Sequence, residues 1–217
     1  MAAMTFQFQL AILAVAASCC ASVSAQEEPV VPAWVEQYAR TADHTFLVKV
    51  VRYDDLHAPK AIQVIDRKTG VLVQEIADET GIEMARDPAR FIKLVDANLD
   101  GHPDIALAVN NGGAGPNSMD NFYLFDPRLR RYALHEGLSE LPQVRIDGKG
   151  TITSAARGSC CHHYYETYRF IGARMMPITS REEVISLDGK WLRITTGTFR
   201  RGKMHYKVKR VPAAPGY

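Results

Sequence analysis

Asp96, Asn98, Asp100 and Asp104 place oxygen-bearing side chains at positions one, three, five and nine of a short loop, with Gly101 at position six and His102 at position seven. Calcium takes six to eight hard oxygen ligands at about 2.3–2.6 Å, and alternate side chains of a tightly curled loop can all face one ion. Gly101 permits the sharp turn, and the expected ligand from His102 is its main-chain carbonyl. The helical form of such a loop needs a bidentate Glu at position twelve, where this chain has Leu107. Both flanks, 91–96 and 104–109, read as strands. The spacing therefore predicts Ca2+ at the tip of a β-hairpin, held by Asp96, Asn98, Asp100, His102 and Asp104. The plainer alternative is an acidic turn without metal.

A second cluster is Cys160-Cys161-His162-His163, followed by Tyr164-Tyr165-Glu166-Thr167-Tyr168. Thiolate and imidazole suit zinc or copper. Adjacent side chains of an extended chain point to opposite faces, however, so four consecutive residues do not converge on one tetrahedral ion. A vicinal disulfide between Cys160 and Cys161 is the main alternative, although neighbouring Cα atoms lie about 3.8 Å apart, below the usual disulfide range. Two free thiols are the other. Tyr164, Glu166, Tyr168 and Phe170 alternate onto one face and read as an aromatic core stripe, with Glu166 held by a buried partner.

Signals for catalysis are missing. There is no Gly-rich phosphate loop, nucleophile elbow or HExxH, and Glu166 has no identifiable mate for paired-carboxylate chemistry. A Cys161/His163 nucleophile pair is conceivable, but tandem cysteines in an exported protein oxidise more readily than they attack. The residues thus point away from an enzyme. The basic C-terminal stretch, with Arg200, Arg201, Lys203, Lys207, Lys209 and Arg210, reads as protection of a sheet edge, with Met204, Tyr206 and Val208 turned inward.

The elements that must position these groups are short apolar or alternating runs between turn residues, the pattern of strands. They fall at 45–52, 61–66, 71–76, 91–96, 104–109, 121–126, 131–135, 143–146, 151–155, 164–170, 175–178, 183–187, 192–198 and 204–209. Lys68-Thr69-Gly70, Asp126-Pro127, Asp147-Gly148, Asp188-Gly189 and Arg201-Gly202 supply the turns. The fold class is all-β, an antiparallel meander compatible with a sandwich, barrel or small propeller. Residues 34–40 read as a short helix within a lead segment, 26–44, and 45–217 as a single all-β calcium-binding domain. Residues 110–120, NNGGAGPNSMD, form the longest irregular stretch and read as an exposed loop.

The first 25 residues contain no charged side chain, and 10–17 is an unbroken apolar run followed by small residues up to Ala25. That pattern predicts a signal peptide, 1–25, cleaved to leave Gln26, and a periplasmic or secreted location. Lipidation at Cys19 or Cys20 would anchor the chain to a membrane, but Ala16 and Ala17 stand where a lipobox wants Leu. A net charge of +2 gives no reason to expect nucleic acid as a partner. With only Cys160 and Cys161 in the mature chain, a disulfide framework is excluded.

Three elements in order, Val95-Asp96-Ala97-Asn98-Leu99-Asp100-Gly101-His102-Pro103-Asp104, then Asn121 to Pro127, then Ser154 to Arg157 before Tyr164 to Arg169, carry a resemblance. Over about residues 45–180 the chain resembles the calcium-binding, β-propeller-like periplasmic immunity proteins that protect bacteria from lysozyme-like toxins delivered by type IV secretion. The resemblance implies a propeller-like fold and a protein that inhibits a peptidoglycan-cleaving, lysozyme-like glycosidase by blocking its cleft. Such a cleft is acidic, so Asn110, Asn111 and Asn117 in the 110–120 loop are the residues expected to meet the partner. A calcium-dependent adhesion or carbohydrate-binding module is the alternative reading.

Overall fold

The structure, a computed structural model, describes residues 34–40, 45–52, 59–77, 92–110 and 117–214. The segment 1–25, read from the sequence as a signal peptide, lies outside the described residues. Among the described residues there are three antiparallel meanders. The first contains β1 (Trp34–Arg40), β2 (Thr45–Arg52), β3 (Pro59–Asp66) and β4 (Leu72–Ala77). The second contains β5 (Ile92–Val95), β6 (Asp104–Asn110), β7 (Met119–Asp126) and β8 (Arg131–Leu134). After a single helical turn, α1 (Glu136–Ser139), the third is built from β9 (Arg145–Ile146), β10 (Ile152–Ser159), β11 (His162–Ile171), β12 (Arg174–Ile185), β13 (Trp191–Arg200) and β14 (Lys203–Pro212). Among the described residues these meanders show neither a closed barrel nor a propeller ring.

The middle sheet has a core on each face. Successive side chains of a strand point to opposite sides. Accordingly Ile105, Leu107, Tyr123 and Phe125 pack with Phe46, Val48, Ile62 and Val64 of the first sheet. Their sequence neighbours Ala106 and Phe122 pack with Leu138, Ile152, Tyr168 and Phe170 on the third-sheet side. Two reciprocal amide bridges then join the sheets. Gln74 on β4 donates through Nε2 to the Tyr132 carbonyl and accepts from the Tyr132 N–H, both at 2.8 Å. Asn117, before β7, donates to the Arg157 carbonyl and accepts from the Arg157 N–H, both at 2.9 Å.

Two readings of local structure need correction. Residues 34–40 form a strand, because β2 offers an open edge and the segment pairs along it from Trp34↔Val51 to Arg40↔Thr45. The segments 175–178 and 183–187 are not separate strands: β12 runs through 179–182, whose polar residues sit in a continuous ladder between β11 and β13. A register shift places Pro177 opposite Tyr168 and Thr179 opposite Thr167, a bulge that accommodates the missing proline N–H. No apolar periodicity marks the helix α1; His135 caps it by accepting the Leu138 N–H at Nδ1, 3.0 Å.

Acidic hairpin tips recur for one reason. Asp66, Asp126, Asp147 and Asp188 each accept backbone N–H groups of their own turns. For Asp126 and Asp147 those bonds come first in holding the carboxyl below the usual range, and for Asp188 the Ser186 hydroxyl does.

Candidate metal centre

The loop between β5 and β6 carries the calcium-spaced residues at a hairpin tip. Leu99 and Gly101 both adopt positive φ, 57° and 85°, which curls the chain. The curl directs N–H groups at the side chains: Asp96 accepts from the Asp100 and Gly101 N–H groups (3.1 and 2.9 Å), Asn98 from the Asp100 N–H (3.0 Å), and Asp100 from the His102 N–H (2.8 Å). Asn98 also donates to Asp100 at 2.9 Å. Leu99 leans on the β9–β10 turn, where a Cβ on Gly150 would lie only 2.6 Å from its Cδ1.

Asp104 differs from the other three. It is fully buried, and its two oxygens accept the Ala97 N–H at 2.9 Å and the Phe125 N–H at 2.8 Å, tying the loop to β7. Burial pushes its pKa up to about 7, against the two N–H bonds and with added repulsion from Asp100 and Asp96. Two further buried polar atoms in this region, His102 Nδ1 and the Tyr132 hydroxyl, have no hydrogen-bond partner among the described residues.

The donor set fits calcium in kind: three carboxylates, an amide oxygen and a main-chain carbonyl, all hard oxygens on one curled loop. The side chains are folded onto the loop's own N–H groups, and among the described residues no three His, Cys, Asp or Glu side chains gather closely enough to enclose an ion. Asp96, Asn98, Asp100, the His102 carbonyl and Asp104 are the groups that would hold it. A bound divalent charge would offset the burial of Asp104 and the mutual repulsion of the carboxylates.

The other sites that the sequence singles out are dispersed. Asn117 is a half-buried clamp with both amide atoms engaged by Arg157, so it is not a free loop tip; the Asn110 side chain and all of Asn111 lie outside the described residues. Cys160 and Cys161 are free thiols at the β10–β11 turn, with Sγ atoms 2.7 Å apart, and the hydrogen bond to Cys160 raises the Cys161 pKa. His162 bonds Glu182 through Nε2 at 2.8 Å and the Tyr164 hydroxyl through Nδ1 at 3.2 Å. His163 pairs across the ladder one position on and so faces the opposite side. Tyr168 and Phe170 join the core, and Glu166 accepts from the Tyr168 hydroxyl at 2.8 Å, whereas Tyr164 stays exposed.

An open groove of about 820 Å³ runs beside the loop between β5 and β6, lined in part by Asn98, Asp100, Asp126, Arg128, His135 and Phe170. Neither the oxygen-rich wall of this groove nor the Gly150–Leu99 contact was legible in sequence spacing, since both join residues far apart in the chain.

No family model and no curated protein matches the chain. Among solved structures, one reported as "Structure of a Xanthomonas Type IV Secretion System related protein" superposes with a TM-score of 0.54 at 19% identity, over 79% of this chain and 92% of that one. The chain shares that protein's fold. The likeness extends beyond any single sheet, because 79% of the chain exceeds what one meander contains.

Proposed function

We propose that this chain is an exported, calcium-stabilised inhibitor that protects its cell by blocking a lysozyme-like glycosidase, and that it has no hydrolytic activity of its own. The observation that carries this reading is the fold shared with a type IV secretion system related protein, which agrees with the secretion context implied by the sequence resemblance. The calcium loop supports it as a stabilising device. A binding protein outside the cytoplasm gains from a metal that would fasten the β5–β6 tip, at the end of β6 opposite Asn110. Asn117, bonded to Arg157, is held just ahead of β7, and Asn110 ends β6, so the described residues on both sides of 111–116 are fixed.

The test is clearing of a peptidoglycan suspension by a lysozyme-like muramidase, with wild-type protein and with a variant shortened within residues 112–116. The expected result is inhibition by the wild type and its loss on shortening. Inhibition that survives shortening removes the loop from the reading. The groove beside the metal loop favours a second reading, a calcium-dependent carbohydrate-binding module. Retention on immobilised peptidoglycan, reversed by chelation and without inhibition of any muramidase, would establish it.

A further inference from the structure

The last hairpin, β13–β14, separates the molecule's charge. Between Trp191 and Pro212 there are seven Lys and Arg residues and no Asp or Glu, so a net charge of +2 for the chain leaves −5 for everything else. Among the described residues, Arg200, Arg201, Lys203 and Lys207 have no ion-pair partner. β14 is also the open edge of the six-stranded sheet.

Gatekeeping of an edge by charge leaves the apolar residues of the strand inside. Here they are outside. Tyr206 and Val208 are 63% and 66% exposed, although the Tyr206 ring edge rests over Gly197 on β13. The two-residue turn Arg201-Gly202, with both φ values positive at 51° and 81°, closes the hairpin on the pair Arg200↔Lys203. In a hairpin of this kind, hydrogen-bonded and non-bonded pairs alternate from the turn. Met204, Tyr206, Val208 and Arg210 therefore turn their N–H and C=O groups to the open edge. Tyr206 and Val208 project to one face of the sheet, and His205, Lys207 and Lys209 to the other. On that second face a groove of about 480 Å³ is lined by Thr196, Thr198, Arg200, Arg201, His205 and Lys207, so every charged group in it is cationic.

We propose that β14 is a strand-addition site for an extended segment of a partner protein in which acidic and apolar residues alternate. The open N–H and C=O row supplies main-chain hydrogen bonds; the acidic side chains meet Lys207, Lys209 and the basic groove; the apolar ones cover Tyr206 and Val208. A second copy of this chain is disfavoured, because edge-to-edge pairing would set Lys207 and Lys209 against the same cations. An anionic membrane would satisfy the charges but leave the main-chain row without partners.

The site is tested with a capped seven-residue peptide of alternating Val and Glu, its Val–Lys counterpart, and a peptide of the same Val and Glu content in blocks. Binding is followed by fluorescence anisotropy and by amide hydrogen exchange of the full chain. The alternating Val–Glu peptide is expected to bind and to slow exchange at the Tyr206 and Val208 amides. Binding should fall roughly tenfold in Lys207→Glu/Lys209→Glu, whose changes are on the exposed face. Val208→Pro, which removes one outward N–H, should abolish protection at Tyr206. Equal binding of the blocked peptide, binding without amide protection, or a preference for phosphatidylglycerol vesicles over the peptide would each overturn the proposal.

Discussion

Replacing Asp104 by leucine isolates the structural role of this carboxylate from the metal-binding role proposed for it. Its two oxygens accept the Ala97 and Phe125 N–H groups in a fully buried setting. Leucine removes both acceptors, and a buried N–H left without a partner costs about 1–3 kcal/mol. Two of them give roughly 2–6 kcal/mol. Burial raises the Asp104 pKa to about 7, so removing the carboxyl also relieves a desolvation cost, which favours the lower part of that range. At about 2–4 °C per kcal/mol for a domain of this size, the melting temperature should fall by roughly 5–15 °C. The assay is thermal unfolding followed by circular dichroism, in EDTA so that metal plays no part. Asp100→Ala is the control, since Asp100 is exposed and bonds only within its loop; in EDTA it should cost less than about 0.5 kcal/mol. An Asp104→Leu protein that melts with the wild type in EDTA would refute the assignment of Asp104 as the bolt between the loop and β7.

Calcium itself, at about 1 mM and with a dissociation constant of roughly 10 µM, should add about 2.7 kcal/mol; a calcium-dependent shift in the melting curve that persists in Asp100→Ala would place the ion elsewhere. Gly150→Ala should destabilise by about 1–2 kcal/mol from backbone strain alone, because Gly150 has φ 74° and its added Cβ would press on Leu99, and urea unfolding measures it. In protein isolated from an oxidising compartment, Cys160 and Cys161 should resist thiol labelling until reduced; two thiols that react in untreated protein would leave them as the free pair.

The strands were legible because alternation and turn chemistry are local. Asp147-Gly148 and Arg201-Gly202 mark their hairpins without any knowledge of the partner strand. The turn at Asp96 to Asp100 is local as well: the segment curls so that Asp96 and Asn98 accept its own N–H groups, while Asp104 begins β6. What could not be read depends on distant partners. Residues 34–40 take strand form because β2 is beside them, and the polar residues Ser180 and Glu182 stay in β12 because ladders on both sides hold them. Asn117 has the composition of a neutral loop tip, and only the arrival of Arg157, forty residues later, makes it a clamp. Tyr206 and Val208 alternate as an inward face would, yet they belong to an edge strand that reaches past the core, so alternation alone gave the wrong side.

The proposed function stands or falls most directly on titration of a lysozyme-like muramidase with this protein, reading the clearing rate of a peptidoglycan suspension in calcium and in chelator. Stoichiometric inhibition in calcium, weakened at raised temperature when calcium is removed, is the expected result. Full clearing rates at molar excess of folded, calcium-loaded protein, for every muramidase encoded near its gene, would contradict the account.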